Sequence, residues 1–250
     1  MGGELVLLKH DDRVGPGWLL DRVVAQCEFF RVLTIKQISD LPPPNECNGV
    51  VFTAHSLDTG AIENKDPLLR EELIFVRTLV GLGVPYLGID GGAQLLARAM
   101  FGDVLAERTT SIGPGVLTLT EEARDDPLLG PEANAAGVPV TLWPTHGIAL
   151  PARSVLLGGT AESPQAFRLG HWTYGLLPHL EATPLMFRDW VEENERGVEL
   201  GDRRKELLEG VEAQSEDQRR VAFGVMDRFI ARTACFCHWE SPEIDADERS

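Results

Sequence analysis

The chain is predicted to fold as an α/β protein, three-layered with a mostly parallel central sheet and with helices at its C-terminal end. Three observations carry this. Short, wholly apolar runs of strand length alternate with amphipathic helical stretches through the first part of the chain. Turn and capping residues punctuate the junctions. A closing segment of helical periodicity follows a group of short strand-like runs. Strands that alternate with helices pair in parallel, because right-handed crossovers lay the helices over both faces of the sheet.

The elements follow in order. "ELVLLKH" (4–10) is the first strand, and the turn-rich "DDRVGPG" separates it from "WLLDRVVAQCEFF", whose apolar spacing suits a helix. "FRVLTI" is the next strand, "LPPPNEC" forbids regular structure, and "GVVFTAH" (49–55) is a third strand of the fully buried type. Asp66 and Pro67 supply an N-cap and a first-turn proline for "LLREELIFVRTLVGLG", a helix closed by Gly81 or Gly83. "VPYLGID" is the fourth strand. Beyond it "GPGVLTLT", "VPVTLWPTH", "SVLLGGTA", "QAFRLGH" and "TYGLLPH" read as short strands that continue the sheet or pack on it. "TPLMFRDWVEENERG" is helical. "SEDQRRVAFGVMDRFIAR" opens with a capping box, Ser215 with Gln218, and its Val221, Val225 and Phe229 recur as a core-facing stripe. Residues 1–232 are expected to form the domain, and 233–250 a disordered acidic tail.

The 23 basic and 39 acidic residues leave a formal charge of −16, which argues against a nucleic-acid or anionic-membrane surface. No apolar run approaches a membrane span and no basic n-region precedes an apolar h-region, so a cytoplasmic protein is expected. Cys27, Cys47, Cys235 and Cys237 have no framework spacing and are expected to be reduced. Cys235, Cys237 and His238 offer three metal ligands where structural zinc usually takes four. No phosphate-binding glycine loop is present, so no organic cofactor is expected.

The chemistry gathers at "YLGIDGGAQLLARAMFGDV" (86–104), a strand, a glycine-flanked turn and a helix in the layout of a nucleophile elbow. Asp90 stands at its tip, where Ser or Cys would be expected. Ligands of open parallel sheets bind outside the carboxyl ends of the strands. That rule collects His10, His55 and Asp90, each at or just beyond a strand end, together with His179 after "YGLLP".

These motifs, in this order, resemble the class I glutamine amidotransferases, a family with a Cys-His-Glu triad and a flavodoxin-like sheet. The elbow resembles the family's G-I-C-x-G-x-Q. "LPARSVLLGGTAESPQAFRLG" resembles its strand pair ending in Q-A-F, and "YGLLPHLEATPLM" its Y-G-x-Q-F-H-P-E-x-T-P segment. "LVLLKHDDRVGPG" resembles the opening of one bacterial branch. The likeness runs over residues 4–232. It implies that Asp90 occupies the nucleophile position, that His179 matches the catalytic His and that Glu181 matches the acid that orients it. It also matches Gly88, Ile89, Gly92 and Gln94 to the elbow, with Gly91 the residue that follows its tip. Three loops depart from the family: Ala54 and His55 replace the glycines of the oxyanion loop, "WPTHG" puts Pro144 and His146 into the W-H-G-D segment, and F-H-P-E becomes "PHLE". Ala54, His55 and His146 are therefore pocket candidates, with the Gly91 and Ala54–His55 backbone N–H groups as oxyanion donors.

A carboxylate is ionised at neutral pH but attacks amides poorly, and the acyl product would be an anhydride. Ordinary glutaminase activity is not expected. Three readings follow. One is a repurposed hydrolase or transferase in which Asp90, His179 and Glu181 act on a small amide, ester or related substrate. Another is an inactive ligand-binding protein or regulatory subunit of a synthetase. The third is a metal site built from Asp90, His179, His55 and His146. A small-molecule ligand and a protein partner such as a synthetase are the expected partners.

Overall fold

A computed structural model of the chain describes residues 3–57, 66–108, 111–132, 137–193 and 200–236. Among the described residues, eleven strands and five α-helices begin in the order β1 (Glu4–Lys9), α1 (Gly17–Gln26), β2 (Phe30–Thr34), β3 (Cys47–Ala54), α2 (Pro67–Leu82), β4 (Tyr86–Asp90), α3 (Gly91–Ala99) and β5 (Asp103–Arg108). The chain goes on through β6 (Gly113–Leu117), β7 (Val138–Leu142), β8 (His146–Ala149), β9 (Val155–Gly159), β10 (Pro164–Leu169), β11 (Thr173–Leu176), α4 (Pro184–Glu193) and α5 (Arg204–Phe236).

The central sheet has seven strands in the order β2-β1-β3-β4-β11-β10-β9. The first five are mutually parallel, and β10 runs antiparallel to both of its neighbours. Side chains alternate between its faces, so a strand covered on both sides must be apolar at every position. In β1, Val6 and Leu8 pack with Phe75, Val76 and Leu79 of α2 and with Leu95 and Leu96 of α3. Leu5 and Leu7 point the other way, towards Leu19 and Val23 of α1 and Val225 and Phe229 of α5. This explains the uninterrupted apolar runs of the first strands and gives the three layers.

The capping chemistry of α2 follows its sequence. The Asp66 carboxylate accepts from the N–H groups of Leu68 and Leu69, and Gly83 ends the helix in the left-handed region at φ 73°. Of the later strands, β9, β10 and β11 extend the sheet, whereas β6 pairs with β7 outside it. β5 and β8 form a further ribbon that the apolar pattern does not announce.

One expectation about the C-terminal region is corrected. Residues 204–236 form one continuous helix that passes through Ser215, so no capping box exists there and the Ser215 hydroxyl instead donates to the Glu212 carbonyl. The same helix runs to Phe236; residues 237–250, with Cys237 and His238, lie outside the described residues, as does the side chain of Cys235. Among the described residues no helix is long and apolar enough to cross a membrane.

Candidate functional site

Strand β4 delivers Asp90 to the carboxyl end of the sheet between β3 and β11. Its backbone, at φ 48° and ψ −109°, lies in a region that side chains seldom enter, which aims the carboxylate off the strand before α3 begins. Such a conformation costs of order 1–3 kcal/mol and persists because its surroundings impose it. The glycines that follow make the turn possible. A Cβ on Gly91 would sit 1.9 Å from the His55 carbonyl oxygen, and one on Gly92 would sit 2.0 Å from that of Phe52. Tyr86 fastens the turn from below, its hydroxyl donating to the Gly92 carbonyl at 2.9 Å. Burial pushes that hydroxyl well above its usual range, so it remains a donor.

His179 and Glu181 come from the loop after β11. His179 Nδ1 and Glu181 Oε1 are 2.8 Å apart, and His179 Nε2 is 3.8 Å from Asp90 Oδ2. The loop is held by backbone bonds in both directions between Thr141 and His179 at 3.0 Å. Trp190 covers the imidazole with ring centroids 4.7 Å apart, and its indole N–H donates to the Arg13 carbonyl. Gly17 lets α1 approach the same loop, since a Cβ there would lie 2.0 Å from the Glu181 carbonyl oxygen; the Trp18 N–H donates to that oxygen at 2.9 Å.

The three residues at the triad positions are thus adjacent, and they are closed off from solvent: Asp90 and Glu181 are 0 % exposed and His179 1 %. Asp90 Oδ1 accepts a hydrogen bond from the Thr145 hydroxyl. Thr145 in turn belongs to a compact polar network. Gln94 Nε2 lies 2.9 Å from Thr145 Oγ1, 2.8 Å from the His146 carbonyl oxygen and 3.0 Å from Ser56 Oγ. Gln94 Oε1 accepts from the Leu57 N–H at 2.6 Å, and the His146 N–H donates to Ser56 Oγ at 3.0 Å. Gln94 therefore ties the first turn of α3 to both flanking loops.

Beside this network lies a cavity of about 210 Å³ whose walls include Trp143, Leu142, Leu177 and Gln165. Thr145 and Pro178 line it, whereas Asp90 and His179 do not.

The pocket candidates divide. Ala54 pairs with Asp90 in register. The backbones of His55 and His146 take part in the site, but their side chains turn elsewhere. His55 Nε2 is 3.1 Å from Asp11 Oδ2, and His146 Nδ1 is 3.0 Å from the Leu105 carbonyl oxygen. Burial would raise the Asp11 carboxyl, yet the hydrogen bond from Arg13 and the nearby His55 hold it at about 2. His10 is likewise committed, to the buried Glu72 at 2.6 Å. The four side chains of the metal reading do not converge, and among the described residues no three His, Cys, Asp or Glu groups stand where they could hold a metal ion.

Solved structures settle the architecture. A glutamine amidotransferase from Thermotoga maritima matches with a TM-score of 0.75 at 18 % identity, over 92 % of this chain and 99 % of that one. One from Methylobacillus flagellatus matches at 0.76 and 21 % identity, over 93 % and 96 %. A Thermoplasma acidophilum protein described as a putative GMP synthase component matches at 0.57 and 15 % identity, over 94 % and 97 %. The chain shares the fold of these glutamine amidotransferase structures. No protein-family model matches the chain, and no curated protein does.

Within this amidotransferase-like fold, three site residues escape a reading of the sequence alone: Ser56, Thr145 and Gln218. Thr145 lies inside "WPTHG", where the titratable His146 is the more conspicuous residue. Gln218 has the spacing of a helix cap. It is 2 % exposed, and its Nε2 lies 3.0, 3.2 and 3.1 Å from the carbonyl oxygens of His179, Leu180 and Ala182. No local signal marks that role, because it depends on α5 docking against the His179 loop.

Proposed function

We propose that this chain is an amidotransferase-like protein without thiol chemistry that binds a small amide- or carboxylate-bearing ligand, rather than a glutaminase. The observation that carries this is the closure of the centre. Asp90 is fully buried and bonded to Thr145, and the cavity beside it reaches Thr145 but neither Asp90 nor His179. A carboxyl group held in this way lends rigidity to the elbow. The neighbour described as a GMP synthase component supports a protein that works beside a synthetase.

A repurposed hydrolase or transferase is the second reading, favoured by one specific observation. Asp90 keeps the strained backbone at φ 48° and ψ −109°, and His179 and Glu181 keep their 2.8 Å contact, a costly arrangement for a purely structural carboxylate. In that reading Asp90 is base or nucleophile, His179 carries the proton, Glu181 orients it, and the N–H of Gly91 holds developing negative charge.

A paired assay separates the two readings. Ammonia release from L-glutamine and hydrolysis of p-nitrophenyl acetate are measured for the wild type and for Asp90→Asn, with L-glutamine binding followed by calorimetry. The binding reading expects no turnover by either protein and measurable heat with the wild type. Turnover by the wild type that Asp90→Asn abolishes would establish the enzyme reading instead.

A further inference from the structure

We infer that Thr145 is the specificity-determining residue of this site: its side chain forms the floor of the cavity, so that a bound ligand meets a threonine and never the elbow residue. The inference rests on the reading of the cavity as the ligand site, and it adds the residue that sets how deep a ligand can go.

Thr145 is 6 % exposed and lines the cavity on one side, and on the other its hydroxyl donates to Asp90 Oδ1. A hydroxyl has one proton to give. With that proton committed to Asp90, Thr145 Oγ1 accepts from Gln94 Nε2 at 2.9 Å, and Ser56 Oγ lies 3.2 Å from it. Two partners on the elbow, Asp90 and Gln94, and one on the loop after β3, Ser56, fix the rotamer, so the side chain is a rigid plug and not a freely turning one. Pro178, which precedes His179, lines the same cavity, and Asp90 is 0 % exposed. A site that reacted at its elbow would need the opposite arrangement, with the elbow side chain on the cavity wall.

The test reads access to position 90 directly and needs no ligand. The thiol introduced by Asp90→Cys is alkylated with iodoacetamide, and the rate is followed on the peptide that contains position 90 by mass spectrometry, with folding checked by circular dichroism. Asp90→Cys alone is expected to react at least tenfold more slowly than the same thiol in denaturant. Adding Thr145→Ala is expected to raise the native rate at least tenfold. Adding Thr145→Val, which keeps the volume but not the hydroxyl, should leave the rate within about threefold. Thr145→Ser removes only the methyl group, keeps the hydrogen bonds and should give a smaller rise; it decides the matter if the alanine variant does not fold. Fast alkylation of Asp90→Cys alone, or no acceleration on shortening Thr145, overturns the inference. Either result leaves the ligand-binding reading to its own calorimetric test, so the two can fail separately.

Discussion

Replacing Gln218 by leucine should be among the more damaging substitutions in α5, although no reacting group is touched. The side chain is almost the same size, so the change acts through hydrogen bonds and not through a cavity. Gln218 Nε2 has two protons and three carbonyl oxygens within reach, those of His179, Leu180 and Ala182, while its Oε1 accepts from the Thr141 hydroxyl at 3.1 Å. The His179 carbonyl retains the Thr141 N–H as a donor. The loss therefore falls mainly on the Leu180 and Ala182 carbonyls and on the Thr141 hydroxyl, all in buried residues. An unsatisfied buried polar group costs about 1–3 kcal/mol, and partial relaxation should leave a total of roughly 3 kcal/mol. For a chain of this size that corresponds to a fall in midpoint of roughly 6–12 °C. Urea unfolding followed by circular dichroism measures it, with Arg220→Ala on the exposed face of the same helix as the reference. A change below about 0.5 kcal/mol would refute the claim that α5 holds the His179 loop through this side chain.

Other expectations rest on the same structure. Gly91→Ala would place a methyl group 1.9 Å from the His55 carbonyl oxygen and should destabilise by about 3 kcal/mol, whereas Gly81→Ala in α2, with nothing within 4 Å, should stabilise by about 0.5–1 kcal/mol; denaturant midpoints of the two variants check both signs. Asp11 has its carboxyl lowered from 3.8 to about 2, so the stability it contributes is complete above pH 3.8 and disappears as the pH falls towards 2. Asp11→Asn should flatten that part of an acid-unfolding profile, and an unchanged profile would remove the Asp11 cluster from the account. Burial pushes the Cys47 thiol up to about 11, so the native protein at pH 8 should leave Cys47 unmodified by iodoacetamide while denatured protein does not, as read by peptide mapping.

Much of the site's frame is legible in the chain. Asp90 at the tip of "GIDGGAQ", and His179 with Glu181 after "YGLLP", are local patterns on a fold whose strands announce themselves by being apolar on both faces. The glycines of the elbow can be read for the same reason, since a strained turn between strand and helix permits little else. The ribbon of β5 and β8 is not legible, because short strands exposed on one side carry a weak period. The side chains of His55 and His146, expected in the pocket, are turned away from it. Both residues stand close to Asp90 in the fold, but a nearer acceptor, Asp11 for one and the Leu105 carbonyl for the other, takes each imidazole.

The sequence by itself determined the layers and an elbow with Asp90 at its tip, since these depend on periodicity, glycine and the identity of a single residue. Only the tertiary structure decided that the elbow carboxylate is sealed behind Thr145 and that Gln218 clamps the His179 loop. Hydroxyl and amide side chains buried in a tertiary network carry no sequence period that names their partners. Their partners are chosen by whichever donors and acceptors folding buries beside them, and in this protein those partners come from segments 39 and 55 residues away.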